Sequence, residues 1–253
     1  MLRPLLPAAI LLVSIETGGC VKQTLPEYKV GSPSTSSTPA PAPARSSDPG
    51  MQGSTGQAAF SLMDRSGYLQ CPIALAAVDE AQVSPDFRRQ VVQYFTNYQA
   101  KLRPLVDEAK KKPNDIDRLI VSAKNVTASF APDSQHLSAD PQFPTFKRRL
   151  DVVQSQVGLL TTNPLAFENG FDELHVTPAQ REKLDPILQG ANKQLQSQQT
   201  SAFNGANLAD IAEQTITEGI KTRKALRAVL TPAQNNTWDT LAVPATTQGA
   251  PRR

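Results

Sequence analysis

Two short stretches decide the fold of this chain: VTPAQ at residues 176–180 and LTPAQ at residues 230–234. In each, the threonine can cap a helix, the proline suits the first helical position, and the glutamine can reach back to the cap. An apolar residue before each threonine can pack as a hydrophobic staple. The stretches predict two helix starts, separated by enough chain for two long helices folded back on each other. The residues predicted to form these starts are Val176, Thr177, Gln180, Leu230, Thr231 and Gln234.

The apolar residues around these stretches recur at steps of three and four, which is typical of amphipathic helices. No segment alternates as a half-buried strand would, so we predict an all-α fold of long antiparallel amphipathic helices. We interpret the stripe at 87–106 as core, with contact to a bound protein as the alternative. The stripes are Phe87–Val106, Phe143–Leu160, Leu184–Leu195 and Leu208–Leu230.

The N-terminus has the pattern of a bacterial export signal. Residues 1–20 combine Arg3, a short apolar run, and small residues before Cys20. We interpret Cys20 as a lipidated N-terminus, and ordinary cleavage nearby is the alternative. Residues 21–57 are rich in Ser, Thr and Pro and are predicted to be a disordered tether. The tail 243–253 is likewise predicted to be disordered.

Composition argues against several functions. The formal net charge of +3 is spread along the chain, without the basic face of a nucleic-acid binder. A lipidated Cys20 would leave Cys71 unpaired, and its apolar neighbours predict a buried thiol. His136 and His175 lack metal-ligand partners at helical spacing, and no nucleophile elbow or phosphate-binding loop is present. We therefore predict a protein without metal, cofactor or enzymatic activity.

The first half of the chain repeats the pattern of the second. Val83-Ser84-Pro85 resembles the first stretch, although Phe87 stands where the glutamine would be. Leu137-Ser138 lies as far beyond Val83-Ser84 as the second stretch lies beyond the first. We therefore divide the helical region into units 58–165 and 166–242, and hypothesise an internal duplication.

Residues 171–241, with their paired stretches, resemble the Spy/CpxP family of periplasmic proteins, which is defined by two LTxxQ motifs. The resemblance implies a cradle-like helical fold and ATP-independent binding of unfolded or partly folded proteins in the bacterial envelope. Family members pair as homodimers, so we expect either a homodimer of this chain or, if the duplication is real, an intramolecular pseudo-dimer of the two units. Their client-binding face is basic, whereas residues 171–241 have nearly balanced charge.

Two functions follow as expectations. The first is a periplasmic chaperone that binds many unfolded proteins, which predicts an open concave face with exposed apolar and charged side chains. The second is a tethered lipoprotein that serves as an adaptor or structural partner of one dedicated protein. That function predicts one compact patch on a closed bundle.

Overall fold

The computed structural model describes residues 51–242. All regular elements in this range are helices, which confirms the predicted all-α class. The predicted signal 1–20 with Cys20, the tether up to residue 50, and the tail 243–253 lie outside the described residues. The α-helices are α1 (Met51–Arg65), α2 (Gln70–Glu80), α3 (Pro85–Lys111), α4 (Ile116–Ser129), α5 (Ala131–Ala139), α6 (Phe143–Thr162), α7 (Pro178–Phe203), α8 (Leu208–Val229) and α9 (Pro232–Leu241). Short 3₁₀ helices span Pro113–Asp115 and Pro164–Gly170.

Helix α8 packs against four others, namely α1, α2, α6 and α7. Residues 204–207 join α7 to α8, so that these two helices form a hairpin. Helix α3 in turn packs against α1, α2 and α4. Helices from the units 58–165 and 166–242 thus pack together within one chain, and the pseudo-dimer stays a prediction. The Spy-like cradle arrangement stays a prediction.

The core consists of three apolar clusters. The first lies among α1, α3 and α4, with Cys71 of α2 and Ala209 of α8, and the second among α2, α3, α5, α6 and α8. The third cluster lies where α6, α7, α8 and α9 meet the 3₁₀ helix Pro164–Gly170, and it contains both LTxxQ-type motifs at its edge. Its buried members are Leu160, Phe167, Phe171, Leu174, Leu184, Leu188, Leu226, Leu230 and Trp238.

The stripe of α3 is core, as predicted. Phe87, Val91 and Leu102 on this stripe are at most 1% exposed. Cys71 is fully buried in the first cluster, which confirms the prediction for its thiol. Burial, opposed by a backbone hydrogen bond, raises the pKa of Cys71 to about 12, because an apolar environment disfavours the thiolate.

The predicted tether extends too far. It was predicted to end at residue 57, whereas α1 begins at Met51. A β-carbon on Gly56 would lie 2.6 Å from the backbone nitrogen of Leu208, the first residue of α8. Glycine is common in linkers, but at position 56 its lack of a side chain allows α1 to approach the start of α8 closely.

The predicted repeat of the second motif at Leu137-Ser138 is not a helix start. Ser138 lies in the last turn of α5, and its hydroxyl donates to the carbonyl of Gln135 at 2.9 Å. The chain ends one helix at Ser129 and begins α5 at Ala131, whereas the corresponding α8 continues unbroken to Val229. The next helix, α6, begins only at Phe143. The correspondence between the units is therefore closest at α3 and α7.

Candidate functional site

Both predicted capping boxes form. The Thr177 hydroxyl accepts from the Gln180 N–H at 3.2 Å, and the Gln180 side-chain oxygen accepts from the Thr177 N–H at 3.1 Å. The same pair of bonds joins Thr231 and Gln234, at 3.3 and 2.9 Å. Each box satisfies two backbone donors that a helix start leaves open. The side chains of Val176 and Leu230 pack in the third cluster.

The two boxes also bond to each other, which the sequence did not predict. Gln180 Nε2 donates to Gln234 Oε1 at 2.8 Å, and Gln234 Nε2 donates to Gln180 Oε1 at 3.1 Å. Each Nε2 also reaches a carbonyl just before the other motif: Gln180 that of Val229 at 3.1 Å, and Gln234 that of His175 at 3.2 Å. The starts of α7 and α9 are thus tied by a symmetric set of bonds. We call Thr177, Gln180, Thr231 and Gln234 the motif junction.

The first half contains a simpler version of this junction. Ser84 caps α3 by accepting from the Phe87 N–H at 3.2 Å. Gln142, which precedes α6, donates its Nε2 to the Ser84 hydroxyl at 2.9 Å and accepts from the Ser84 N–H. A glutamine 58 residues away thus fills the place that Phe87 leaves empty.

His175 holds a backbone conformation that its side chain disfavours. Its φ of 51° lies in the left-handed region, where most L-residues are rare. The turn is closed by the Val176 N–H, which donates to the Phe171 carbonyl at 3.0 Å. This conformation directs the His175 carbonyl to Gln234. The imidazole is exposed, and within residues 51–242 no group of three or more His, Cys, Asp or Glu side chains is placed to hold a metal ion.

A set of charges around the buried Arg223 joins α9 to three other helices, and the sequence did not predict it. We call its five members the ion network. The Arg223 side chain is 2% exposed and donates to both Glu80 oxygens, while its Nε donates to Gln156 at 2.6 Å. Arg149 bridges the two carboxylates, and Arg227 donates to Asp239 at 2.6 Å. The network joins helices α2, α6, α8 and α9; its members are Glu80, Arg149, Arg223, Arg227 and Asp239.

The arginines control the ionisation of both carboxyls. Burial raises the pKa of Glu80. The hydrogen bond and charge of Arg223, together with the charges of Arg149 and Arg227, lower it by more, so the pKa lies below its ordinary value. The pKa of Asp239 is lowered in the same way, against burial, by Arg149 and Arg227. With the carboxyls ionised, each charge in the network has an opposite partner. This arrangement holds helices together, and we assign it no chemistry.

One apolar pocket opens on the surface beside the third cluster. It has a volume of 220 Å³ and lies between α6, the 3₁₀ helix Pro164–Gly170, and the end of α9. The ring of Trp238 packs edge-on against Phe167, with centroids 4.8 Å apart. Leu241 lines the pocket and is 55% exposed, and Leu165, just before the lining residue Ala166, is 36% exposed. The apolar lining residues are Leu159, Ala166, Phe167, Leu174, Trp238 and Leu241.

The chain that borders this pocket is acidic. Glu168 follows the lining residue Phe167, and Asp172 and Glu173 precede the lining residue Leu174. All three are exposed, and none forms an ion pair with a residue of the described range. The nearest cation along the chain, Arg181, lies over the Phe171 ring at 5.0 Å. We call Glu168, Asp172 and Glu173 the acidic rim.

Elsewhere on the described surface, large exposed apolar residues stand singly: Val92 on α3, Val121 on α4 and Phe203 at the end of α7. No helix within residues 51–242 is long and apolar enough to cross a membrane. No protein-family model, curated protein or solved structure shows a significant match to this chain.

Proposed function

We propose that this chain is a tethered adaptor of the bacterial envelope that binds one dedicated protein through its apolar pocket. The carrying observation is that the exposed Leu241 lines an apolar pocket, with exposed Leu165 next to the lining residue Ala166, while Val92, Val121 and Phe203 lie on α3, α4 and α7 and line no part of it. A compact patch on a closed bundle is what a dedicated partner requires. Patches of this kind mark protein-binding sites more often than scattered apolar residues do.

The N-terminal sequence supports the location. An export signal at 1–20, Cys20 at its end and a Ser/Pro-rich segment behind it match a lipoprotein whose folded domain stands away from the membrane. The paired LTxxQ-type motifs support a relation to the Spy/CpxP family. In this proposal the motif junction is structural: it fixes α7 and α9, and therefore the position of the pocket wall that α9 supplies.

A general chaperone is the competing function. It requires a broad exposed surface that adapts to many unfolded chains. The three clusters are closed in the described structure, and the helices carry their apolar stripes inward. This packing favours the adaptor over the chaperone.

Two measurements test the proposal on the full mature chain. We expect no general suppression when the protein is added without ATP, at equal molarity, to several unrelated unfolding proteins. We also expect capture of one protein from envelope extracts, retained by the variant Val121→Ser and lost in Leu241→Ser. The two variants are matched, because Val121 and Leu241 are 56% and 55% exposed.

Suppression of aggregation across all the unfolding proteins would support the chaperone in place of the adaptor. Equal capture by both variants would show that the partner binds elsewhere, and would overturn the assignment to the pocket. Circular dichroism of both variants checks that the helices remain intact.

A further inference from the structure

We propose that the pocket and the acidic rim together bind a cationic segment of the partner protein, with one large apolar side chain in the pocket and Lys or Arg beside it. This inference rests on the proposed adaptor function and names the chemistry of the segment. It joins two independent features of the same surface: the shape of the pocket and the sign of the charge along its border.

The pocket has room for one side chain. An apolar cavity of about 150 Å³ is enough to hold a benzene ring. The 220 Å³ between α6 and α9 therefore accommodates a Leu, Met or Phe side chain. Its walls present the edge of Trp238 and the side chains of Leu159 and Leu174, which are the apolar surfaces that such an anchor needs.

The exposed charged residues of the segment that borders the pocket are all acidic. The segment 164–176 contains Glu168, Asp172 and Glu173 and no Lys or Arg. The pocket wall from α6 is neutral, with Ser155 and Leu159. Asp239 on α9 is already paired with two arginines of the ion network.

Arg181 offsets one of the three rim carboxylates. The ion network behind the lining residue Gln156 has three arginines and two carboxylates and offsets a second, so one negative charge remains. A partner with basic residues beside its apolar anchor would form ion pairs with the carboxylates of the acidic rim. An acidic segment would be repelled.

The single tryptophan of the chain lies in the pocket wall, which gives the test its signal. Three tryptophan-free synthetic peptides are titrated into the full mature chain while Trp238 emission is recorded. The first has one central leucine between lysines, the second has glutamates in place of the lysines, and the third has serine in place of the leucine. We expect the first to shift the emission and to bind at least about tenfold more tightly than the other two.

Charge variants separate the rim from the pocket. In the double variant Glu168→Gln/Glu173→Gln we expect the affinity for the lysine peptide to fall by about threefold or more, with a weaker dependence on salt. Asp117→Asn is the matched control, because Asp117 is an exposed carboxylate on α4 without an ion pair in the described range. This variant should bind like the unmodified chain.

Equal binding of the lysine and glutamate peptides would overturn the proposed charge selection. An unchanged Trp238 emission with every peptide would also overturn this inference, and the adaptor function would still stand if capture from extracts depends on Leu241. If no peptide changes the Trp238 emission and capture from extracts does not depend on Leu241, the inference and the proposed function are both overturned.

Discussion

The motif junction and the ion network both join helices that are far apart in the chain, but they do so with different chemistry. The junction uses neutral amides at two helix starts, where Thr177 and Thr231 are exposed. The network uses full charges on the inner face of α8, where Arg223 is 2% exposed. Hydrogen bonds between neutral groups therefore join the helices at the surface, where a substitution costs little stability. Ion pairs join them in the interior, where a substitution costs more.

Burial sets the energetic contrast. Water can replace a lost hydrogen bond at an exposed helix start, so such a bond contributes about 1 kcal/mol. Removing one partner of a largely buried ion pair leaves a charge that water solvates poorly, which costs up to about 3–5 kcal/mol. The following predictions test this contrast, starting with the largest effect.

Arg223→Ala should have the largest effect. The change removes both bonds to Glu80 and the bond to Gln156, and leaves a cavity on α8. We expect the free energy of unfolding to fall by about 3–5 kcal/mol, measured by chemical denaturation. Arg118→Ala is the control, because Arg118 pairs with Glu108 while its own side chain is 60% exposed. It should leave the free energy of unfolding nearly unchanged, because solvent screens an exposed ion pair.

Equal losses in these two variants would contradict the contrast. Since Arg149 and Arg227 still contact Glu80 in Arg223→Ala, a loss near the lower end of the range would mean that they compensate for part of the change.

Acid should weaken the network and spare the junction. The folded-state pKa values of Glu80 and Asp239 lie below their ordinary values of about 4. Their contribution to stability is therefore fully present above about pH 5 and is lost as the pH falls through the folded pKa values. We expect a smaller loss than in Arg223→Ala, because protonation opens no cavity. Denaturation curves from pH 7 to pH 3 measure it.

Asp239→Asn provides the control for the acid effect, since this variant has one fewer carboxyl to protonate. Its stability should depend less steeply on pH than that of the unmodified chain. The same steepness in both would contradict the assignment of the acid effect to the network.

Gly219→Ala tests the packing of the same face of α8, one turn before Arg223. A β-carbon at Gly219 would lie 2.5 Å from Thr161 Cγ2 and 3.2 Å from Val157 Cγ1, both on α6. We expect a loss of about 1–3 kcal/mol from overpacking. Gly190→Ala on α7 meets nothing within 4 Å and should stabilise by up to about 1 kcal/mol. Thermal unfolding of both variants distinguishes these opposite signs.

Gln180→Ala and Gln234→Ala should have the smallest effects, about 1–2 kcal/mol each. If the two capping boxes acted independently, their effects would add in the double variant. Because the two amides bond to each other, we expect the double variant to lose at least about 0.5 kcal/mol less than the sum. Combining Gln180→Ala with Ser84→Ala, at the start of α3, is the additive control.

The sequence predicted the elements whose signals are local. The stripes of α3, α6, α7 and α8 appear as helices, and both capping boxes form because each needs only four neighbouring residues. The first part of α1, residues 51–57, was assigned to the tether, since its small polar residues resemble a linker and the close approach of Gly56 to α8 is a long-range contact. The apolar run of α2 was noted only as the neighbourhood of Cys71.

The sites depend on long-range contacts, which local patterns do not contain. Arg223 and Glu80 are 143 residues apart, and Gln180 and Gln234 are 54 apart. One signal was available: Arg223 follows Ile220 and precedes Leu226 at helical steps, so a charge stands within an apolar stripe. Such a residue must find a counterion inside the fold. Which carboxylate it finds, and the pocket formed by α6 and α9, require the assembled helices.

The burial of Cys71 makes its thiol a kinetic probe of the native state. With its pKa raised to about 12 and its sulfur enclosed in the first cluster, an alkylating reagent can react only while α2 is displaced. The rate of modification therefore reports how often α2 is displaced from the core under native conditions. If lipidation occupies the Cys20 sulfur, a disulfide-linked pair of chains must have formed from molecules in which this region was already unfolded.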